Sequence, residues 1–192
     1  MKRKIILASK SPRRKQLLKK IVKKFTVMES AVDESSISAK TPEQFAVSAA
    51  IAKAKEVARK AKNAIVIGGD TIVVLENKIL GKPKSKKEAV KMLAALSGRT
   101  HTVITGLAVI DSETLKEITD LEITKVTMKK LSPKAIAEYV ESGSPMDKAG
   151  SYGIQEIEAQ FVASVDGDYD NVVGLPVEKL YKMLYFFGVD RR

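Results

Sequence analysis

The apolar run over residues 5–8 stops at Ser9, and Ser11, Pro12, Arg13 and Arg14 follow at once. A strand that ends in a small-residue turn and enters a helix leaves backbone N–H groups unpaired at the positive end of the helix dipole, which favours an anion. Ser9 and Ser11 add hydroxyl donors, and Arg13 and Arg14 add forked cationic donors suited to phosphate. The same stretch also reads as a capped helix with two solvated arginines. A second stretch, "VIGGDTIV", puts Asp70 after a buried strand and paired glycines, at the carboxyl edge where ligands gather in α/β sheets. An aspartate there can ligate a divalent metal or take a proton from water, or simply cap the turn.

Two further carboxylates, Asp33 and Glu34, follow another strand in "AVDESS". With Asp70 they could hold one Mg²⁺ together with water and substrate oxygens; the alternative is an ordinary polar loop. Lys82, between Gly81 and Pro83 in "ILGKPKS", can aim a point charge at a phosphate, while Lys53 lies in a long helical stretch where solvation is the default. The stretch "DKAGSYGIQ" holds Asp147, Lys148 and Gln155, and a glutamine amide both donates and accepts, as reading a base edge requires. Each signal is weak by itself. Together they form the set that phosphoryl chemistry needs: groups that neutralise charge, hold a metal and orient a water.

The residues that are missing narrow this further. The chain has no cysteine, so disulfides and thiolate chemistry are excluded. The single histidine, His101, sits in the strand pattern "RTHTVITGLAVI", which disfavours a Ser-His-Asp triad and excludes a multi-histidine metal site. Any metal is then held by carboxylates and is hard, Mg²⁺ or Mn²⁺. Neither GxxxxGK[ST] nor GxGxxG occurs.

These residues hang on a recognisable series of elements. A buried strand is predicted near residues 4–8, then a helix capped by Ser11. "FTVMES" reads as a strand, and the capping-box stretch 41–44 opens a long alanine-rich helix to about Lys62. "TIVVLENKILGKP" reads as a hairpin turning near Asn77. Ser85 caps a helix that ends at Gly98. The patterns "THTVITGLAVID" and "LEITKVTMKKL" are strands joined near Ser112, and a helix runs from Pro133 to Gly143. "SPMDKAGSYGIQ" reads as a loop, "QFVASVDG" as a strand, and Pro176 begins the last helix. Alternating helices and strands with antiparallel pairs between them predict an α/β fold with a mixed sheet and flanking helices, in one domain over residues 1–192 without a linker.

The chain is 44% hydrophobic and 30% charged, as a soluble globular protein is, and the net charge is 34 − 23 = +11. A basic field attracts anions: nucleic acid, acidic lipid or a phosphorylated small molecule. The lysines are scattered and aromatic residues total only 5%, so no stable nucleic-acid complex is expected. No run approaches a membrane span, and the amino-terminal apolar stretch is too short for a signal peptide, so a cytoplasmic location is expected.

The ordered set "LASKSPRRKQLL", "VDES", "GGDTIVVLENKILGKP", "MLAALSGRTHTVITGLAV", "YVESGSPMDKAGSYGIQ" and "VVGLP" closely resembles the Maf family over nearly the whole chain. The resemblance implies a nucleoside triphosphate pyrophosphatase that cuts between the α and β phosphates and needs Mg²⁺ or Mn²⁺. It also implies a fold like that of the inosine triphosphate pyrophosphatases: a long, twisted mixed sheet and two lobes around a central cleft. By resemblance Asp70 is the proton acceptor and, with Glu34, holds the metal. Ser9, Arg13, Arg14, Lys53 and Lys82 surround the triphosphate. Arg13, Thr71 and Gln155 match the branch that prefers dTTP and UTP over the branch that prefers 7-methyl-GTP. Two positions beside Lys53 depart from the family pattern: Ser48 and Ala52 stand where an arginine and a glutamate are common. The resemblance further implies a homodimer, a house-cleaning role and a link to cell division. The rival readings are 7-methyl-GTP hydrolysis and a non-catalytic basic nucleic-acid-binding protein.

Overall fold

The computed structural model describes residues 3–191. In chain order the elements are β1 (Lys4–Leu7), α1 (Pro12–Leu18), β2 (Thr26–Val27), α2 (Pro42–Ala58), β3 (Ala64–Leu75), β4 (Lys78–Leu80), α3 (Lys86–Leu96) and β5 (Thr100–Asp111). They continue with β6 (Glu117–Met128), α4 (Pro133–Glu141), α5 (Ile154–Phe161), β7 (Val162–Asp166), α6 (Tyr169–Val173) and α7 (Val177–Phe186). The sheet order is β2-β1-β3-β5-β6-β7, with β4 paired to β3. β1 runs parallel to β2 and β3, whereas β4 is antiparallel to β3 and β7 to β6. This is the expected mixed α/β architecture. No helix of the described residues is long and apolar enough to cross a membrane.

Helix starts follow from local chemistry. Ser11, Thr41, Ser85 and Ser132 each accept a hydrogen bond from the backbone N–H three residues on, at 3.4, 3.2, 3.2 and 3.2 Å. Each satisfies a donor that the first helical turn leaves without a partner. Gln44 and Glu88 reach back to the N–H groups of Lys40 and Lys84. The β3–β4 turn is two residues, Glu76 and Asn77, both with positive φ (49° and 63°), as a tight hairpin with the right twist requires.

The chain divides into two compact units. The first comprises the segment up to Thr71, Thr105–Glu122 and the segment from Gly174; the second comprises Ile72–Ile104 and Ile123–Val173. The first unit has a core of Ile6, Val57, Val66 and Ile110 with several alanines of α2. Ala46, Ala49, Ala50 and Ala54 are fully buried. Ala50 and Ala54 face Gly68 and Ala46 faces Gly106, glycines on neighbouring strands: a Cβ on Gly68 would lie 2.3 Å from the Ala50 carbonyl oxygen, and one on Gly106 would lie 2.2 Å from that of Ala46. Alanine on the helix and glycine on the strands together let α2 approach β3 and β5 more closely than larger side chains would allow.

In the second unit α3 packs on α4. His101 is buried there, its Nε2 2.6 Å from the Tyr152 hydroxyl, while Nδ1 has no partner. Burial pushes its pKa down from 6.5 to about 4. The folded protein therefore keeps this ring neutral between about pH 6.5 and 4, while the unfolded chain takes up a proton there. The unfolded state binds more protons over that window, so stability falls as pH falls, by about 3 kcal/mol in full. Urea titrations of wild type and His101→Phe should therefore diverge between pH 7 and 4.5, wild type losing more stability. Parallel pH profiles would show that His101 is not buried in the neutral form.

Several elements differ from expectation. α2 ends at Ala58, short of Lys62, and β2 pairs over only two residues. The "GGD" stretch does not end its strand: β3 runs through it for twelve residues, with Asp70 seventh. The carboxyl-edge argument still applies in another form, because parallel β1 stops at Leu7 opposite Ile67, leaving Asp70 three residues past the end of its partner. Ile154 and Gln155, expected as loop, and Gln160 and Phe161, expected as the start of a strand, belong to one helix, α5.

Candidate active site

Along β3, Gly68 and Asp70 share one face, because successive side chains alternate. Gly68 admits α2, and Ala54 is the helix residue against it. The residue before it in the chain, Lys53, reaches over the same face. Its Nζ donates to Asp70 Oδ1 and to Glu34 Oε1, each at 2.6 Å. The Lys53 and Asp70 side chains are only 12% and 7% exposed, against 47% for Glu34. Glu34 begins a single 3₁₀ turn, Glu34–Ser36, which Asp33 caps through the Ser35 N–H and hydroxyl at 2.9 and 2.7 Å. Asp33 is thus a structural cap, and its neighbour is the residue offered to Lys53.

The other face of β3 carries Gly69 and Thr71, and Arg14 of α1 lies over it. The Arg14 guanidinium donates from Nε to the Gly174 carbonyl (2.9 Å), from Nη1 to Ser9 Oγ (3.3 Å) and from Nη2 to Thr71 Oγ1 (3.0 Å). Thr71 Oγ1 also lies 2.9 Å from Thr105 Oγ1. Burial lowers the Arg14 pKa from its ordinary value, while the charges of Asp70 and Glu34 act to raise it. Thr105 and Gly174 carried no chemical signal in the sequence. Gly174 has φ 126°, a conformation that favours glycine, and this orients its carbonyl toward Arg14. Arg13 is the half-buried neighbour on α1.

Of the residues singled out from the sequence, Ser9, Arg13, Arg14, Glu34, Lys53, Asp70 and Thr71 all lie in the first unit, with Lys53 and Glu34 at the Asp70 face of β3 and Arg14 and Ser9 at the Thr71 face. Lys82 and Gln155 belong to the second. Lys82 is exposed in the turn after β4, where the Gly81 carbonyl accepts from the Gly150 N–H at 3.1 Å. Gln155 is exposed in the first turn of α5. Its neighbour Glu156 accepts from Tyr139 (2.9 Å), Ser144 (2.7 Å) and Lys148 (3.1 Å). Lys148 is almost fully buried and also pairs with Asp147 at 2.8 Å. Burial works to raise the Glu156 pKa, but the hydrogen bonds and charges of these partners outweigh it and hold the carboxyl below its usual value. The charged network that anchors the start of α5 was signalled only by the density of polar and turn residues around "DKAGSYG".

A hard divalent cation takes oxygen ligands, often with several waters. Glu34 and Asp70 supply carboxylates, and Asp70 Oδ2 is buried without a hydrogen-bond partner. Among the described residues no group of three or more His, Cys, Asp or Glu side chains could hold a metal. Two carboxylates fit such an ion provided that water and substrate oxygens complete its shell.

Residues 4–187 match the family described as Maf-like protein. A dTTP/UTP pyrophosphatase of Thermoanaerobacter sp. (strain X514) is 50% identical over 94% of this chain and 95% of its own length. Proteins of the same name from Clostridium botulinum (strain Kyoto / Type A2) and Moorella thermoacetica (strain ATCC 39073 / JCM 9320) are 50% and 47% identical, each over 97% of this chain and covering 98% and 96% of their own lengths. A crystal structure of a nucleoside-triphosphatase, a dITP/XTP pyrophosphatase from Mycobacterium abscessus, overlaps 67% of this chain and 75% of its own, with 14% identity and a TM-score of 0.42, a likeness from which no property is carried over. With its motifs in order from Ser9 to the residues around Gly174 and half of its positions identical to curated relatives, this chain belongs to the Maf-like protein family.

Proposed function

We propose that this protein is a nucleoside triphosphate pyrophosphatase that hydrolyses dTTP and UTP to the nucleoside monophosphate and pyrophosphate. The observation that carries the reading is the asymmetry of Asp70. Lys53 holds Oδ1, while Oδ2 is buried and without a partner, an acceptor for the proton of an attacking water. The names borne by the relatives supply the substrate class.

In the free protein Lys53 fixes the orientation of the Asp70 carboxylate. Asp70 takes a proton from water as the water oxygen attacks phosphorus, and the bond between the α and β phosphates breaks with pyrophosphate leaving. Arg13 and Lys82 neutralise phosphate charge, and Arg14 braces Ser9 and Thr71 beside it. Glu34 and Asp70 would hold Mg²⁺ or Mn²⁺, which supplies charge stabilisation and a template for the phosphate oxygens. Arg13, Thr71 and Gln155 select the pyrimidine base. We place the enzyme in the cytoplasm as a homodimer clearing unwanted nucleotides, without a stable nucleic-acid complex.

Pyrophosphate release from dTTP, UTP, CTP, dGTP, dITP and 7-methyl-GTP tests this. Turnover of dTTP and UTP that stops with EDTA and returns with Mg²⁺ or Mn²⁺ is expected. Preference for 7-methyl-GTP would move the protein to the other branch. Salt-sensitive nucleic-acid binding without turnover of any nucleotide would replace catalysis with binding.

A further inference from the structure

The two carboxylates best placed for a metal already hold a cation. Lys53 Nζ lies 2.6 Å from one oxygen of Glu34 and 2.6 Å from one oxygen of Asp70. The ammonium is compact and lies largely out of solvent, so a divalent ion bridging the same oxygens would meet a like charge at very short range. α2 packs closely on Gly68 and Gly106, so it cannot move nearer the sheet, and the four-carbon stem of Lys53 is a flexible group that can swing away from the pair. Arg14 adds a second positive charge that interacts with both carboxylates, so cations already offset the pair without any metal.

We infer that Lys53 is the resident cation of the Glu34–Asp70 pair and keeps divalent metal out of the free protein. The inference rests on reading Glu34 and Asp70 as the metal-holding pair. Metal joins together with a polyanionic ligand, whose phosphates give the Lys53 ammonium another partner and leave both carboxylates open. Lys53 is thus a positioning residue with two stations, on the carboxylates in the free protein and on phosphate in the complex. This accounts for a helix lysine, ordinarily solvated, being drawn into a nearly buried place.

The test is Mn²⁺ binding to nucleotide-free protein, read by electron paramagnetic resonance of the unbound ion. Wild type should bind weakly. Lys53→Met should bind at least about tenfold more tightly, because the two carboxylates lose the cation that lies between them. Lys53→Arg, which keeps the charge, should stay as weak as wild type. Should Lys53→Met not fold, the neutral, polar Lys53→Gln gives the same comparison. Equal affinity in wild type and the neutral variant, or an equal gain in Lys53→Arg, overturns the inference. dTTP turnover by the same wild-type preparation is measured beside it. Turnover without a gain in Lys53→Met sinks the inference and leaves the proposed function; a gain without turnover does the reverse.

Discussion

Asp70→Asn is expected to lower kcat for dTTP by about a thousandfold while leaving nucleotide binding within a few-fold of wild type. The substitution keeps the shape of the side chain, and its amide oxygen can still accept from Lys53. The Oδ2 position becomes an NH₂ group, so the one buried, unpartnered oxygen that could receive a proton is replaced by a donor. A merely structural role for Asp70 predicts something else. Removing one charge from a buried cluster that keeps Lys53 and Arg14 would then show up as a lower melting temperature with activity lost only in proportion to unfolded protein. Measuring kcat, KM and thermal unfolding on one preparation separates the two. A folded variant that keeps a tenth of wild-type kcat would remove Asp70 from the role of base.

The second large effect is expected far from any charge. Gly106→Ala places a methyl group 2.2 Å from the Ala46 carbonyl oxygen, 2.3 Å from its carbon and 2.5 Å from the Val47 nitrogen. All three are backbone atoms of α2, so no rotamer change can relieve the contact; the helix must move off the sheet. Overpacking a tight core costs about 1–3 kcal/mol, and contact with rigid backbone belongs at the upper end. For a chain of this size that lowers the melting temperature by about 6–12 °C. Gly81→Ala is the matched control, since a Cβ there meets nothing within 4 Å, and its melting temperature should stay within about 1 °C of wild type. Gly106→Ala should also reduce activity in the protein that stays folded, because α2 carries Lys53 to Asp70. An unchanged melting temperature would mean that α2 rests farther from the sheet than the close approach requires.

These two positions mark the limit of what could be read in advance. The serine and threonine caps, the two-residue turn at Glu76–Asn77 and the glycine ends at Gly98 and Gly143 were all legible, because each depends on groups within a few residues of one another. α5 was not. Its helix begins where glycines and an exposed glutamine suggest a loop, and the Lys148–Glu156 network that holds it there is tertiary. The strand break expected after "GGD" was misplaced for a related reason. Glycine reads locally as punctuation, whereas Gly68 serves close packing inside a continuous strand.

The inventory of chemistry was in the sequence by itself: no thiol, one histidine in a strand, and carboxylates, arginines and lysines at turns and element ends, which restrict the protein to charge neutralisation, hard-metal binding and proton transfer by a carboxylate. The tertiary structure decided the pairings. Lys53, an unremarkable residue on an exposed-looking helix, lies 2.6 Å from two acids because small residues let that helix settle onto β3. Arg14 turns from a free phosphate clamp into a brace because a glycine 160 residues away presents its carbonyl. Residue type sets what a side chain can do, and is local. Which partner it meets depends on distances of a few ångströms between segments far apart in the chain, and these are determined only when the core packs.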